Sequence, residues 1–209
     1  SNLFKAVSEA GGDMAKVDAS AFPVLNMLNT RYFIFPLQGG KTMPIQNPYT
    51  LGNAWFVDKV QYVNNANEEI ESLHKVMPAK VAVVDKKFAE QVKPVAVSDS
   101  LSFVKLVAYE PNDLKYEVSS EKGGVVVFSE IYYPGWQAYI DGVEAPHGRA
   151  DYILRAMNVP AGKHTVEFKF DPKSLHTTET IAFVALGLLA MAVLLLLVLQ
   201  GKALWGKKG

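Results

Sequence analysis

The run from Ile181 to Leu199, IAFVALGLLAMAVLLLLVL, contains 19 consecutive uncharged residues interrupted only by Gly187. As a helix it would be about 28 Å long, close to the ~30 Å hydrocarbon core of a bilayer. A core helix of a soluble domain usually shows polar relief over such a length, so the run is expected to span a membrane. Thr177, Thr178 and Glu179 precede it, as an expected N-cap and a dipole-matched acid. Lys202, Trp205, Lys207 and Lys208 follow it, an interfacial anchor pattern. Three lysines after the run outweigh Lys169 and Lys173 before it, which favours a cytoplasmic C-terminus and places the preceding residues outside the cytoplasm. Ser1-Asn2 reads as a tag remnant, and no apolar signal segment opens the sequence. The expectation is a fragment: the last soluble domain and last helix of a longer membrane protein.

Composition narrows what the rest can do. The 209 residues are 49% hydrophobic and 20% charged, which supports a packed core and excludes disorder. Basic and acidic residues balance at 21 each, so no electrostatically driven nucleic-acid partner is expected. The absence of cysteine excludes a disulfide scaffold, a thiol nucleophile, a Cys-ligated zinc site and an iron–sulfur cluster.

Two textures follow one another along the chain. Residues 1–99 read as mixed α/β. Helical spacing over 3–10 ends at Gly11-Gly12. RYFIF (31–35), AWFVDKVQYV (54–63) and KVAVV (80–84) are expected strands, and 38–53 an expected loop. Asn65 or Asn67 is placed to cap a short helix to about Val76, and 86–92 to form one more helical turn. From about residue 100 the period becomes two. Strands are expected over 102–109, 113–119, 124–131, 136–140, 152–156 and 164–170, separated by turn signals. Asp141-Gly142 is a type I′ hairpin candidate. In HTVEFKF, Val166, Phe168 and Phe170 share one face. The expected fold class is α+β: a small mixed α/β part (1–99), an antiparallel β-sandwich or jelly-roll-like domain (100–176), and a transmembrane helix with its tail (177–209).

Catalytic patterns are missing. His74, His147, His164 and His176 show no HExxH spacing, so no metal site is expected, and no cofactor fingerprint such as a P-loop or GxSxG occurs. Asp58 reads as the solvent face of a strand and Asp141 as turn chemistry. The segment FSEIYYPGWQAYIDGVEAPHGR (128–149) is the richest. Tyr132, Tyr133, Trp136 and Tyr139 surround a Pro134-Gly135 turn, with Asp141 and Arg149 close by in sequence. These six are the ligand-contact candidates: aromatic faces stack on the apolar faces of sugars, and a few polar groups fix orientation. The competing reading is that Trp136 anchors a core and the tyrosines cover a sandwich edge.

VVVFSEIYYPGWQAYIDGVEAPHGRADYILRAMNVPAGKHTVEFKFDPKSL resembles the C-terminal region of YfhO-like bacterial membrane proteins. LNMLNTRYFIF and NPYTLGNAWFVDKV resemble that family's upstream segments. The resemblance implies a large multi-pass protein of the inner membrane, similar to glycosyltransferases that use polyprenyl-phosphate sugars and linked to glycosylation of cell-envelope polymers. It implies an extracytoplasmic domain before the final helix. Its partners would be the lipid bilayer, a polyprenyl-phosphate sugar or envelope glycan, and the rest of its own polytopic protein. The family's catalytic carboxylates would lie between earlier helices, so no residue here is expected to be catalytic. The alternative expectation is a structural or protein-interaction module without a ligand of its own.

Overall fold

The structure is a computed structural model that describes residues 2–94 and 102–205. Ser1, Lys207 and Lys208 therefore lie outside the described residues. The chain divides into two compact units, Ser1–Phe170 and Asp171–Gly209.

In the first unit, helix α1 (Asn2–Glu9) is followed by α2 (Pro23–Met27) and a hairpin, β1 (Tyr32–Pro36) and β2 (Thr42–Gln46). Next come β3 (Ala54–Val57), β4 (Lys59–Val63), α3 (Ala66–Ser72) and β5 (Val81–Asp85). Then the strands run β6 (Phe103–Glu110), β7 (Asp113–Ser120), β8 (Gly124–Ile131) and β9 (Trp136–Ile140). The last four are β10 (Val143–Ala145), β11 (Gly148–Ala150), β12 (Leu154–Val159) and β13 (Gly162–Phe170). The fold is mixed α+β, as expected.

Two antiparallel sheets form the sandwich. One has five strands in the order β10-β9-β13-β7-β6, the other four in the order β11-β12-β8-β3. Between them lie Leu114, Tyr116 and Val118 from β7, Val126 and Phe128 from β8, Met157 and Val159 from β12, and Val166 and Phe168 from β13. The period-two reading of β13 holds: Val166 and Phe168 are fully buried and Phe170 is half-buried at the strand end. Tyr116, Phe128 and Phe168 meet edge-to-face, with ring centroids 4.8–6.3 Å apart.

The other face of the four-stranded sheet packs on the parallel pair β4–β5 and on α3, through Val125, Val127, Ala156, Val60, Val83 and Leu73. Strand β8 is thus covered on both faces, which accounts for its unbroken VVVF where one-sided strands alternate. At Gly123, before β8, φ is +73° and an added Cβ would meet Val159 O at 2.7 Å, so only glycine fits there.

Several expectations change. The single strand expected over 54–63 breaks at Asp58. Its first half pairs antiparallel with β8 and its second parallel with β5, so the four-stranded sheet draws on residues before and after 99. The loop expected over 38–53 contains β2, which the prolines and polar residues concealed. Strand β12 starts at Leu154 rather than 152, because Asp151 and Tyr152 have left-handed backbones (φ +50° and +73°). Local signals elsewhere match. Gly11-Gly12 ends α1 with φ of +64° and +84°, and the Asn65 side chain accepts from Glu68 N–H to cap α3.

The second unit is α4 (Lys173–Trp205). Its segment Ser174–Leu199 is long and apolar enough to cross a membrane, and none of that apolar window is buried. The helix begins earlier than expected, just after Pro172. Thr178 and Thr180 accordingly donate to the carbonyls of Ser174 and His176 one turn back, instead of capping.

Candidate functional site

The connection from β8 to β9 carries the richest segment. Tyr132 N–H donates to Ile153 O at 2.7 Å, and Gly135 takes φ +106° to complete the turn after Pro134. This places both Tyr133 and Trp136 against Phe170, with ring centroids 6.3 and 5.4 Å away. Trp136, Ala138 and Ile140 face the sandwich interior, as alternation requires. Tyr133 remains 60% exposed.

Trp136 lies against the guanidinium of Arg155, 4.0 Å from its ring centroid. Arg155 is only 2% exposed, and its Nε donates to Ile131 O at 3.0 Å. Burial lowers the Arg155 pKa from its ordinary value, and Glu130 opposes that shift. Burial likewise raises the Glu130 carboxyl and the Tyr116 hydroxyl. Beside them, His147 is held at about 4 by burial and by the charge on Arg155, so its ring is neutral at pH 7. An aromatic edge backed by a buried cation and a neutral imidazole is the result.

The other candidates go elsewhere. Tyr139 stands on the outer face of the five-stranded sheet. Its hydroxyl donates to Gln137 Oε1 at 2.6 Å, and Lys169 Nζ lies 5.6 Å from its ring centroid. The ion pairs of Glu167 with Lys115 (2.9 Å) and Lys169 (3.3 Å) make that face polar. Asp141 sits in the turn after β9 with φ +51°, and Gly142 follows at +82°, the two left-handed positions of a type I′ turn. Its carboxylate accepts from Thr165 N–H at 2.8 Å and lies 2.7 Å from His164 Nδ1. The Thr165 N–H and His164 hold Asp141 below the usual carboxylate range. His164 Nε2 is 3.0 Å from Ala161 O, so both ring nitrogens face acceptors and the ring is raised above its ordinary value. Together with Glu117 and Lys163, and with Phe103 and Val118 as its apolar side, this pair lines a hollow of about 380 Å³.

Tyr132 packs on Phe88 (5.2 Å) and His147 (5.7 Å). Arg149 is tied to Glu69 at 2.6 Å and lies 3.9 Å from Asp85. Glu69 also accepts from Tyr152 N–H, and Asp151 accepts from Val83 N–H, so Arg149 belongs to an internal cluster that holds the β11–β12 turn. The structure brings Tyr133 and Trp136 together on one edge, and joins neither Asp141 nor Arg149 to them by a hydrogen bond or ion pair. Sequence reasoning passed over Arg155 and read Phe170 only as part of the core-facing side of its strand. An arginine inside the apolar strand LRAMNV was the available signal. Among the described residues no group of three or more His, Asp or Glu side chains could hold a metal ion.

Residues 89–182 match the family model described as bacterial membrane protein YfhO, so the stretch from β6 to β13 and the start of α4 is YfhO-like. No curated protein and no solved structure matches it.

Proposed function

We propose that this chain is the extracytoplasmic part of a YfhO-like protein of the bacterial inner membrane. In this reading its aromatic edge positions an envelope glycan or a polyprenyl-phosphate sugar for glycosylation carried out by the rest of the parent protein. Residues 100–176 carry the contact surface, 1–99 support it and 177–209 anchor it. One observation carries the reading: Tyr133 stands 60% exposed on a Pro-Gly turn, next to a Trp136 ring fixed from beneath by Arg155. A sugar ring meeting that edge finds an aromatic face already ordered, so little side-chain entropy is lost on contact. Tyr139, beside Lys169 and Glu167, offers a second aromatic face with charged neighbours.

The test is ligand-dependent stabilisation of the full chain in nanodiscs, with a polyprenyl-phosphate sugar as the probe. The wild-type unfolding midpoint should rise with ligand, and Tyr133→Ala should keep the basal midpoint and lose the rise. A wild-type chain that ignores such ligands, together with full cellular glycosylation by Tyr133→Ala, would instead favour an interaction module. The ties of Arg149 to Glu69 and of Tyr132 to Phe88 already favour a structural role for those two candidates.

A further inference from the structure

We propose that the hollow between α2, α3 and the β11–β12 turn binds a small, uncharged, largely apolar molecule, held by one hydrogen bond from the Asp151 carboxyl to an oxygen acceptor. The hollow measures about 260 Å³. Val24 and Met27 of α2, Leu73 after α3 and Ile153 of the turn form its walls. Ile70, His74 and Tyr152 also line it and are exposed, so it opens to solvent on their side. Asp151 lines it too, but is 0% exposed. A carboxyl shut away from water thus borders a mostly aliphatic space, in a layer of the molecule separate from the Tyr133–Trp136 edge.

Three observations point to such a ligand. First, half of the carboxyl is unused. Oδ1 accepts from Val83 N–H at 2.8 Å, whereas Oδ2 is buried and has no hydrogen-bond partner. A buried polar atom in that state costs free energy that a partner would recover. Second, the carboxyl is a donor at neutral pH. Burial, with the charge of Glu69 adding to it, raises Asp151 to about 8. Val83 N–H occupies Oδ1, so the proton belongs on Oδ2 and calls for an acceptor. Third, the walls suit an apolar body better than water or a cation. A bound water needs two or more polar partners, and the side chains of Val24, Met27, Leu73 and Ile153 supply none. An ammonium group would shed its hydration for a single acceptor. An apolar cavity of about 150 Å³ already accommodates benzene, so this one has room for a six-membered ring bearing a carbonyl or ether oxygen. The charged and titratable groups around Asp151 are Glu69 of α3, its partner Arg149 of β11, Asp85 of β5 beside that arginine, and His74 at the exposed side of the hollow.

The test is a titration with cyclohexanone of the full chain in micelles, followed by NMR of methionine methyl groups. Met27 lines the hollow, Met77 lines a separate apolar one, Met157 lies in the sandwich core and Met191 in α4. Met191 therefore reports probe dissolved in the micelle, and Met77 and Met157 are site controls. Cyclohexanone should shift Met27 saturably. Only the protonated carboxyl donates, so wild-type affinity should hold below pH 7 and fall about tenfold by pH 9. Asp151→Asn keeps a donor in its amide and an acceptor for Val83 N–H, so it should bind equally at pH 6 and pH 9. Ile70→Trp, at an exposed position, should block the hollow and abolish the Met27 shift without moving the unfolding midpoint. A wild-type Met27 signal that never saturates would overturn the inference and leave Oδ2 to a trapped water. Equal wild-type affinity at pH 6 and pH 9 would do the same, since the carboxyl would then take no part. A pH dependence that survives in Asp151→Asn would assign it to His74 or Glu69 and also defeat the idea. Tighter binding of cyclohexylammonium than of cyclohexanone, lost in Asp151→Asn, would overturn it in favour of a cationic ligand.

Discussion

Two turns in this molecule use the same local device in opposite surroundings. At Asp141-Gly142 and at Asp151-Tyr152 the chain takes left-handed backbone conformations, and in each case carboxylates bind backbone N–H groups to hold the bend. The first turn is at the surface, where Asp141 pairs with a partly exposed His164. The second is buried. Glu69 is 0% exposed, Asp151 likewise, and a non-glycine Tyr152 is held at φ +73°. In water such a pair is worth little because solvent screens it and competes for both partners. In the interior each partner is costly to leave alone. The buried turn is therefore where stability concentrates and where a change of protonation has the larger effect, and the surface turn contributes less to both.

The largest expected effect is on the buried turn. Glu69→Ala removes the acceptor of the Tyr152 N–H and leaves Arg149 only the more distant Asp85, and should cost about 3–5 kcal/mol in urea unfolding of the full chain in micelles. Glu69→Leu combined with Arg149→Met should recover much of that loss; if it does not, the pair does more than neutralise itself. Next is the pH slope of the same turn. Burial raises Asp151 to about 8. Its folded form then keeps a proton that the unfolded chain has lost, so this contribution is full below the ordinary carboxylate value and is lost as pH rises towards 8. Asp151→Asn keeps an acceptor for Val83 N–H and cannot ionise, so unfolding midpoints of the variant should gain on wild type steadily from pH 5 to pH 8.

The surface turn should respond less. Asp141→Asn is expected to cost under about 1 kcal/mol. With His164 raised, the pair's contribution is present below the ordinary histidine value and lost as pH rises through the folded one. With Asp141 lowered, it is present above the ordinary carboxylate value and lost as pH falls through the folded one. Its stabilisation should therefore peak between the two, and the difference between wild type and Asp141→Asn should peak in mildly acid solution. His147 slopes the other way. Held at about 4, it stabilises above its ordinary value, and that contribution is lost as pH falls towards 4. His147→Gln should flatten that acid limb. If it does not, the imidazole is wetter than its burial indicates. The smallest effect belongs to Tyr133→Ala, which should change stability by under about 0.5 kcal/mol because the ring is largely exposed. A larger loss would mean that its contact with Phe170 is structural.

The sequence by itself determined what depends on neighbours a few residues away. The run that becomes α4, the period of β13, the Asn65 cap, the double-glycine stop of α1 and the Asp141-Gly142 turn are all set by backbone preference and side-chain spacing within one element. The tyrosines and Trp136 were legible as a group for the same reason. Only the tertiary structure decided which of them share a surface. Arg155 reaches Trp136 from another sheet, and Arg149 is claimed by Glu69, 80 residues earlier. The break at Asp58, where one apolar run serves two sheets, and the double burial of β8 also arise from packing between distant segments. Such contacts leave no local period to read, because their energy comes from excluding water between surfaces that meet only when the chain has folded.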